Sequence, residues 1–399
     1  MLAMKRLFCF LSPAFSLLLA AAIWLPALHL FFRPVLSDFR RPNAVAPEAR
    51  RLAARHLALW EDPVRREKEI ARMRASNAEW DFMGRTYFVL ALANMAISEP
   101  AQEGRYLGVI DSIIGETLQL EQSRGIYYFE MDYAKASSFL AQPPRSTFLD
   151  GEIAMMLAAR QLVRPEPHYA PMLAQRVDLL EQYMSRGPVM CGESYPDECW
   201  MFCNAVAIAA VHMSDRLDGR DHSAFIQHWL ATVKAKLVHK DSGILVSSFT
   251  YAGEPKDGPE GSSIWMVAHC LKVVDPEFAA DQYRRARAQI GKEVMGFGYA
   301  REWPPTWEGT PDIDSGPIVP VLNASAGSSG LAVLGASTFH DDAYLQQLLT
   351  TLRFAGFPTA RGDELRFAAS NQVGDAVLLY AMVQGPLWDR AAGNGSVHQ

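Results

Sequence analysis

The segment 191–204, CGESYPDECWMFCN, places three of the chain's five cysteines beside three carboxylates. Thiols and carboxylates in one loop could donate and accept protons if the fold turns them towards a pocket. The sequence predicts that Asp197 caps a helix or lies in its first turn, and that Cys199 and Cys203 share one face of that helix. Alternatively, the cysteines form disulfides or pack as small apolar residues, as is common in exported proteins.

The same segment does not predict a metal site. Its spacing, C-x7-C-x3-C with His212 as the next histidine, matches no common zinc pattern. The chain also has no Walker-type loop, GxGxxG, HExxH or GxSxG motif, so we expect no metal and no cofactor. The net charge of −6 and the pI near 6.0 argue against a nucleic-acid partner.

A second segment, 79–87 (EWDFMGRTY), combines the carboxylate of Asp81 with the phenol of Tyr87 at the start of an apolar helix. A carboxyl group beside apolar walls has a raised pKa and can act as a general acid or base near neutral pH. The alternative is that Asp81 caps the helix and pairs with Arg85 four residues later.

Two further segments carry candidate residues for a pocket. Glu152 follows Asp150 and Gly151 at the start of another helix, where carboxylates are also ordinary first-turn residues. A loop rich in tryptophan, proline and aspartate contains Trp303, Trp307 and Asp314. Aromatic side chains with carboxylates line pockets for sugars and for terpenoids, so this loop predicts a ligand site without naming the ligand.

The N-terminus predicts a membrane segment. Lys5 and Arg6 precede residues 7–32, which contain no Asp, Glu, Lys or Arg. A spanning helix needs about 20 apolar residues. A cleaved signal peptide is the alternative, but cleavage after the alanines at 20–22 would leave an exposed apolar tail. We favour an uncleaved anchor with the soluble part exported.

From residue 42 onwards the pattern is helical. About twelve helices follow in consecutive pairs, with inner helices that are apolar and rich in small residues and outer helices that are amphipathic. This pattern predicts an all-α fold, a six-hairpin (α/α)6 barrel. We divide the chain into an anchor with linker (1–41), the barrel (42–390) and a flexible tail (391–399). In such barrels the long loops collect at one end and line the pocket.

The two motifs together resemble the linalool dehydratase-isomerase family. EWDFMGRTY at 79–87 and the PD-x5-CN ending at Pro196, Asp197, Cys203 and Asn204 carry the resemblance, which extends over roughly 42–383. The resemblance implies an α/α barrel and cofactor-free acid/base chemistry on a tertiary allylic alcohol. It also implies a homo-oligomer whose site is shared between subunits.

The family's aspartate and tyrosine match Asp81 and Tyr87, and its second cysteine matches Cys203. Its first cysteine falls on Ser194, with Cys191 and Cys199 nearby, and Glu152 stands about where a family histidine is expected. We therefore predict that Asp81 and Tyr87 deliver a proton to the departing hydroxyl group of the substrate. Cys203, with Glu193 or Glu152, would remove a proton from the neighbouring carbon. The expected substrate-binding residues are Cys191, Ser194, Tyr195, Asp197, Cys199, Trp303, Trp307 and Asp314.

Two other functions remain open at this point. A carbohydrate-active α/α-barrel enzyme would also use paired carboxylates and tryptophans. A membrane-tethered binding protein without activity would bury Asp81, Tyr87 and Cys203 in packed core with no cavity between them.

Overall fold

The computed structural model describes the backbone of residues 2–42, 44–309, 316 and 318–393, and side chains from residue 13 onwards. Asp314 and positions 394–399 of the expected tail lie outside the described residues. The helices are α1 Leu2–Leu28, α2 Leu36–Phe39, α3 Pro47–Glu61, α4 Pro63–Arg74, α5 Ala78–Ser98, α6 Glu103–Arg124, α7 Thr147–Val163, α8 Tyr169–Arg186, α9 Met201–Asp218, α10 Ser223–Lys236, α11 Gly261–Leu271, α12 Pro276–Gln289, α13 Ala326–Thr338, α14 Asp342–Ala355, α15 Gln372–Val383 and α16 Pro386–Ala391.

Six of these helices form a closed ring. α5 packs against α7, α7 against α9, and so on through α11 and α13 to α15, which packs back against α5. These inner helices are buried on nearly all sides because their residues are apolar or small around the whole helix. The predicted barrel is therefore confirmed.

Outer helices cover the ring. α6, α8, α10, α12 and α14 each pack against the inner helix that precedes them, and each buries one apolar face. The last inner helix, α15, is covered by α3 from the N-terminal side. The sixth pair of the barrel is thus assembled from both ends of the domain.

All inner helices run in the same direction, because an outer helix returns the chain before each new inner helix. The long connections 125–146, 187–200, 237–260, 290–325 and 356–371 lead into α7, α9, α11, α13 and α15. They therefore collect at the end where the inner helices begin, which we call the loop end. The opposite end has short turns such as 164–168 and 219–222.

The loop end also contains short β-strands. They are β1 Cys199–Trp200, β2 Ser248–Phe249, β3 Pro255–Asp257, β4 Gly291–Val294, β5 Phe297–Ala300, β6 Ile318–Val319, β7 Ala324–Ser325, β8 Pro358–Arg361 and β9 Glu364–Phe367. All pairings are antiparallel: β1–β2–β3 form one small sheet, and β4–β5, β6–β7 and β8–β9 are hairpins. The hairpins were not predicted, because strands this short show little alternation of apolar and polar residues.

The N-terminal apolar segment is helical. Within the described residues one stretch, Pro13–Phe39, is long and apolar enough to cross a membrane, and none of its most apolar window is buried against the barrel. A signal sequence has the same properties, so this finding supports an anchor or a signal segment equally.

Candidate functional site

Glu152 lies at the centre of the ring. It belongs to the second turn of α7, is 2 % exposed, and accepts a hydrogen bond of 2.6 Å from Thr86 Oγ1 on α5. Burial raises the pKa of Glu152 to about 8, with the negative charge of Glu79 adding to the effect and the Thr86 hydrogen bond opposing it. A carboxyl group with such a pKa exchanges protons readily near neutral pH.

Three groups from other inner helices surround Glu152. Burial raises the pKa of Tyr87 on α5, Cys203 on α9 and Cys270 on α11, and the charge of Glu152 raises each pKa further. The Tyr87 hydroxyl is buried and has no hydrogen-bond partner among the described residues. An unpaired buried hydroxyl is costly, which favours a site completed by a ligand or water. Tyr87, Cys203 and Glu152 were predicted as site residues from the sequence, and the structure brings them together.

Close helix packing sets the position of this group. A Cβ atom at Gly151 would lie 3.2 Å from the Cys203 carbonyl oxygen and 3.2 Å from Ala207 Cβ. The absence of a side chain at Gly151 therefore lets α7 approach α9 closely. Glu152 and Cys203 are thereby held at adjacent points of two rigid helices.

The loop before α9 brings Ser194 to Cys203. Asn204 Oδ1 accepts the Gly192 amide at 2.8 Å, and Asn204 Nδ2 donates to the Gly192 carbonyl oxygen at 3.1 Å. Ser194 is fully buried, and its hydrogen bond with the Cys203 thiol lowers the pKa of Cys203 against the larger effect of burial. Ser194 and Cys203, which match the positions of the family's two cysteines, are thus in contact, and the first position carries a hydroxyl group in place of a thiol.

Two more carboxyl groups lie at the loop end. The Tyr195 hydroxyl donates to Glu79 Oε1 and accepts the Met131 amide at 3.1 Å. Glu130 is buried, and neither of its carboxylate oxygens has a hydrogen-bond partner among the described residues. Burial raises the pKa of Glu130 to about 8, and the charge of Glu79 raises it further. The nearby Ser146 hydroxyl, which donates a hydrogen bond to the Ser194 carbonyl oxygen, lowers the pKa of Glu130. Glu130 was missed because the irregular aromatic loop 125–142 has no periodicity that marks a buried position.

Deeper along the axis the polar groups are paired. The ring centroids of Tyr87 and Tyr380 are 6.1 Å apart. The Tyr380 hydroxyl lies 2.6 Å from His269 Nε2, and His269 Nδ1 lies 2.7 Å from Thr338 Oγ1. Burial lowers the pKa of His269 to about 3, so this histidine is neutral. His269 is therefore a neutral core histidine whose two ring nitrogens both have hydrogen-bond partners.

Asp81 is not part of this group. It is 1 % exposed, accepts from Arg85 Nε at 2.8 Å and lies 3.3 Å from Arg74 Nη1. Arg85 also donates to Glu116 on α6 at 2.8 Å. Asp81 therefore faces the outer helices in the ion pair that was the alternative to a catalytic role, and the structure separates it from Tyr87.

Glu193 and Asp197 hold loops in place. Glu193 accepts the backbone amides of Leu140 at 3.0 Å, Ala141 at 2.8 Å and Asp197 at 2.7 Å. Asp197 has a positive φ of 52° in an exposed turn, and its Oδ1 accepts the Tyr251 amide. The prediction that Asp197 caps the helix is wrong, because α9 begins only at Met201 with Trp200 as its cap.

The four described cysteines, at 191, 199, 203 and 270, are free and buried. Cys199 lies in β1, where it pairs with Phe249, so it does not share a helix face with Cys203 as predicted. The reason is that the chain stays extended until Trp200. Burial raises the pKa of Cys191 to about 12. Both residues flank the loop that carries Ser194 and Tyr195.

The two tryptophans lie on a neighbouring loop. Trp307 packs edge-on against His239 with ring centroids 5.4 Å apart, and it covers Gly258. Trp303 covers Gly309 and is half-buried. Both are at the loop end, but among the described residues no hydrogen bond or ring contact joins them to Glu152 or Cys203. Asp314 is outside that set.

A cleft of about 250 Å³ lies between α6, α7 and α8, away from Glu152. Arg145 and Arg176 line it and both bind Asp150, while Arg176 also donates to Glu121 at 2.8 and 2.7 Å. These charges neutralise one another. In the described part of the chain, no three His, Cys, Asp or Glu side chains are grouped as a metal site would require.

Comparison with known proteins finds similar solved structures and one matching family model. Two solved structures are similar to the chain: a GH76 α-mannanase from Bacteroides thetaiotaomicron (10 % identity, TM-score 0.49, 77 % of this chain and 86 % of that chain) and an unsaturated glucuronyl hydrolase from Streptococcus agalactiae (11 %, 0.48, 75 % and 80 %). Residues 175–373 match the family model described as linalool dehydratase/isomerase, and this range includes the 191–204 segment. This match over about half of the chain supports a linalool dehydratase/isomerase-like family member.

Proposed function

We propose that the protein is a cofactor-free lyase or isomerase that acts on an allylic or related alcohol inside the barrel. The observation that carries this proposal is the buried carboxyl group of Glu152. Its pKa is raised to about 8 and it lies among Tyr87, Cys203 and Cys270. The family match supports the reaction class.

The first step is acid catalysis, and it needs a protonated side chain that can donate its proton to the substrate inside the buried site. With a pKa near 8, Glu152 is mostly protonated at neutral pH, so it can give its proton to the departing hydroxyl group. The C–O bond then breaks with its electron pair on oxygen, and water leaves. The Tyr87 hydroxyl, which is otherwise unpaired, donates a hydrogen bond to the same oxygen.

The base step removes a proton from the neighbouring carbon, and the C–H electron pair forms the double bond. Because the pKa of Cys203 is raised, its sulfur is a thiol and is no base by itself. The negative charge of Glu79 raises the pKa of both Glu130 and Glu152, so we assign the base to Glu79. The Cys203 thiol gives its own proton to Glu79 as it takes the proton from carbon. Return of that proton to Glu152 restores the starting state.

The role of Asp81 stays a prediction. In one chain it binds two arginines, and a contribution across a subunit boundary would require a homo-oligomer. We also propose that α1 anchors the protein in a membrane and that the barrel is exported. Size measurement of the detergent-solubilised protein tests the oligomer, and protease access in intact cells tests the orientation.

The test of function is product analysis after anaerobic incubation of the full chain with linalool and related allylic alcohols. Glu152→Gln is the test variant, and Glu277→Gln, which changes an exposed carboxylate on α12, is its matched control. We expect water loss by the wild type and by Glu277→Gln, and none by Glu152→Gln. Equal turnover by Glu152→Gln would remove Glu152 from the mechanism. A folded wild type that ignores alcohols but cleaves a glycoside would favour the carbohydrate-active alternative.

A further inference from the structure

The chain that follows α1 packs onto the side of the barrel. The His29 ring meets Phe297 edge-on with centroids 6.4 Å apart, and it lies against Gly296 so closely that a Cβ there would be 2.4 Å from His29 Cγ. Phe32 packs edge-on against Phe354 at 5.0 Å. The end of α1 is thus joined to the tip of the β4–β5 hairpin and to the end of α14.

Polar contacts extend this junction. Arg33 Nη2 donates to Gln346 Oε1 at 2.8 Å, and Gln346 Nε2 donates to the Pro34 carbonyl oxygen at 2.7 Å. Further along, Arg40 Nη1 donates to the Ser337 carbonyl oxygen at 2.6 Å. Contacts on both sides of α14 hold residues 29–40 against the barrel, so the orientation of the barrel relative to α1 is set.

Exposed apolar side chains surround the junction. Phe31 is 70 % exposed, Met295 at the β4–β5 tip is 51 % exposed, and Phe357 after α14 is 63 % exposed. Leu30, Val294 and Phe354 are also exposed. We call this set the apolar collar; its members are Leu30, Phe31, Val294, Met295, Phe354 and Phe357. Large apolar patches on a protein surface commonly mark contact with a membrane or a partner.

The length of α1 places the collar at the level of the lipid headgroups. α1 extends over 27 residues, which is about 40 Å at 1.5 Å per residue. The hydrocarbon core of a bilayer is about 30 Å thick. A helix that crosses this core therefore ends at the interface, and His29 at that end touches the β4–β5 tip.

We propose that the apolar collar enters the interface of the lipid bilayer that α1 crosses, so that the barrel rests on the membrane and is not held above it. Arg33, beside the collar, is placed to contact lipid phosphates. Continuity with α1 selects the bilayer as the occupant over a second copy of the chain. The proposal rests on α1 being a membrane helix and is independent of the reaction.

The test uses the full chain in phospholipid nanodiscs with a fluorescent bimane label at Met295→Cys. Asp221→Cys, at an exposed site in the α9–α10 connection on the opposite end of the barrel, is the matched control. Labelling of the wild type supplies the background, since the four described thiols are buried. Lipids brominated high on the acyl chain quench a label that enters the interface.

We expect at least two-fold quenching at position 295, with a blue-shifted emission, and no quenching at position 221. Equal quenching at both positions, or none at 295, would overturn the proposal. A blue shift at 295 without quenching would mean that another copy of the chain covers the collar, which also overturns it. Catalytic activity does not enter any of these outcomes.

Discussion

Asp150 and Glu152 are two buried carboxyl groups on the same helix, two residues apart, in opposite environments. Asp150 faces the outer helices, where Arg145 donates to it at 2.7 Å and Arg176 binds it as well. Glu152 faces the axis, where Thr86 is its single hydrogen-bond donor among the described residues and burial raises its pKa to about 8. On the outward side of α7 the carboxylate of Asp150 is paired with two arginines. On the inward side the carboxyl group of Glu152 has no ion-pair partner among the described residues and can still exchange a proton.

The same division occurs on α5. Asp81 points outwards to two arginines, and Tyr87 points inwards with an unpaired hydroxyl. Buried polar groups normally find partners, so the unpaired hydroxyl of Tyr87 makes the inward side a candidate for function. The outward groups are expected to determine stability and the inward groups activity.

The largest expected effect is on turnover. Glu152→Gln keeps the shape of the side chain but removes the exchangeable proton, so we expect a loss of about 10²- to 10⁴-fold in kcat. The measurement is turnover on whichever alcohol the wild type dehydrates. A Tm that stays within a few degrees of the wild type shows that the fold is intact. A loss of kcat below about ten-fold would break the division between the two sides of α7.

The matching change on the outward side is Asp150→Asn. It leaves Arg145 and Arg176 without their shared carboxylate, and breaking such a partly buried pair costs about 3 kcal/mol. We expect a lower denaturant midpoint with kcat preserved in the folded fraction. If Asp150→Asn instead lost activity at unchanged stability, Asp150 would belong to the site.

A third effect is a pH dependence of stability. Because the folded pKa of Glu152, about 8, lies above its ordinary value of 4.5, the folded state holds more protons than the unfolded state between these limits. Stability therefore falls as pH rises from about 4.5 to 8, by up to about 1.4 kcal/mol per pH unit for this group. Denaturant unfolding at several pH values measures the slope. Glu152→Gln should reduce the slope but leave the share of Glu130, whose pKa is also about 8, and Glu277→Gln should leave the slope unchanged. An unchanged slope in Glu152→Gln would contradict the raised pKa.

The smallest expected effect on stability is that of Tyr87→Phe. Removing a hydroxyl group that has no partner costs no hydrogen bond, so the free energy of unfolding should change by less than about 1 kcal/mol or rise slightly. Turnover should nevertheless fall if the hydroxyl binds the substrate oxygen. Unchanged kcat and KM would assign Tyr87 to packing alone.

Much of the barrel could be predicted because most outer helices have a 3.6-residue apolar pattern and the inner helices are long runs of apolar and small residues. In the helix Pro47–Glu61, for example, alanine and leucine residues recur at three- and four-residue spacing. The opposite directions of Asp150 and Glu152 agree with helix geometry, since two helical steps turn a side chain by about 200°. Asp81 and Tyr87, six steps apart, are separated by about 240° in the same way.

The rest depended on irregular chain. Glu130 lies in a loop without periodicity, and its burial follows from how that loop folds over the barrel. Cys199 was placed on a helix because nothing in the sequence marks the two extended residues before Met201. The contacts of Glu193 with three backbone amides depend on loop geometry that residue types do not specify.

The contact between α5 and α15, which closes the ring, joins a helix synthesised early to one synthesised near the end of the chain. The Leu387 amide donates to Asn94 Oδ1 across 293 positions of chain, and Tyr87 meets Tyr380 at the same contact. α5 therefore leaves the ribosome with an apolar surface that has no neighbour until nearly all of the chain has been synthesised. Contacts of such long sequence separation form slowly. A chain that stops short of α15 lacks the closing wall of the site, so early termination yields an open and inactive barrel that chaperones and proteases can recognise by its uncovered helix.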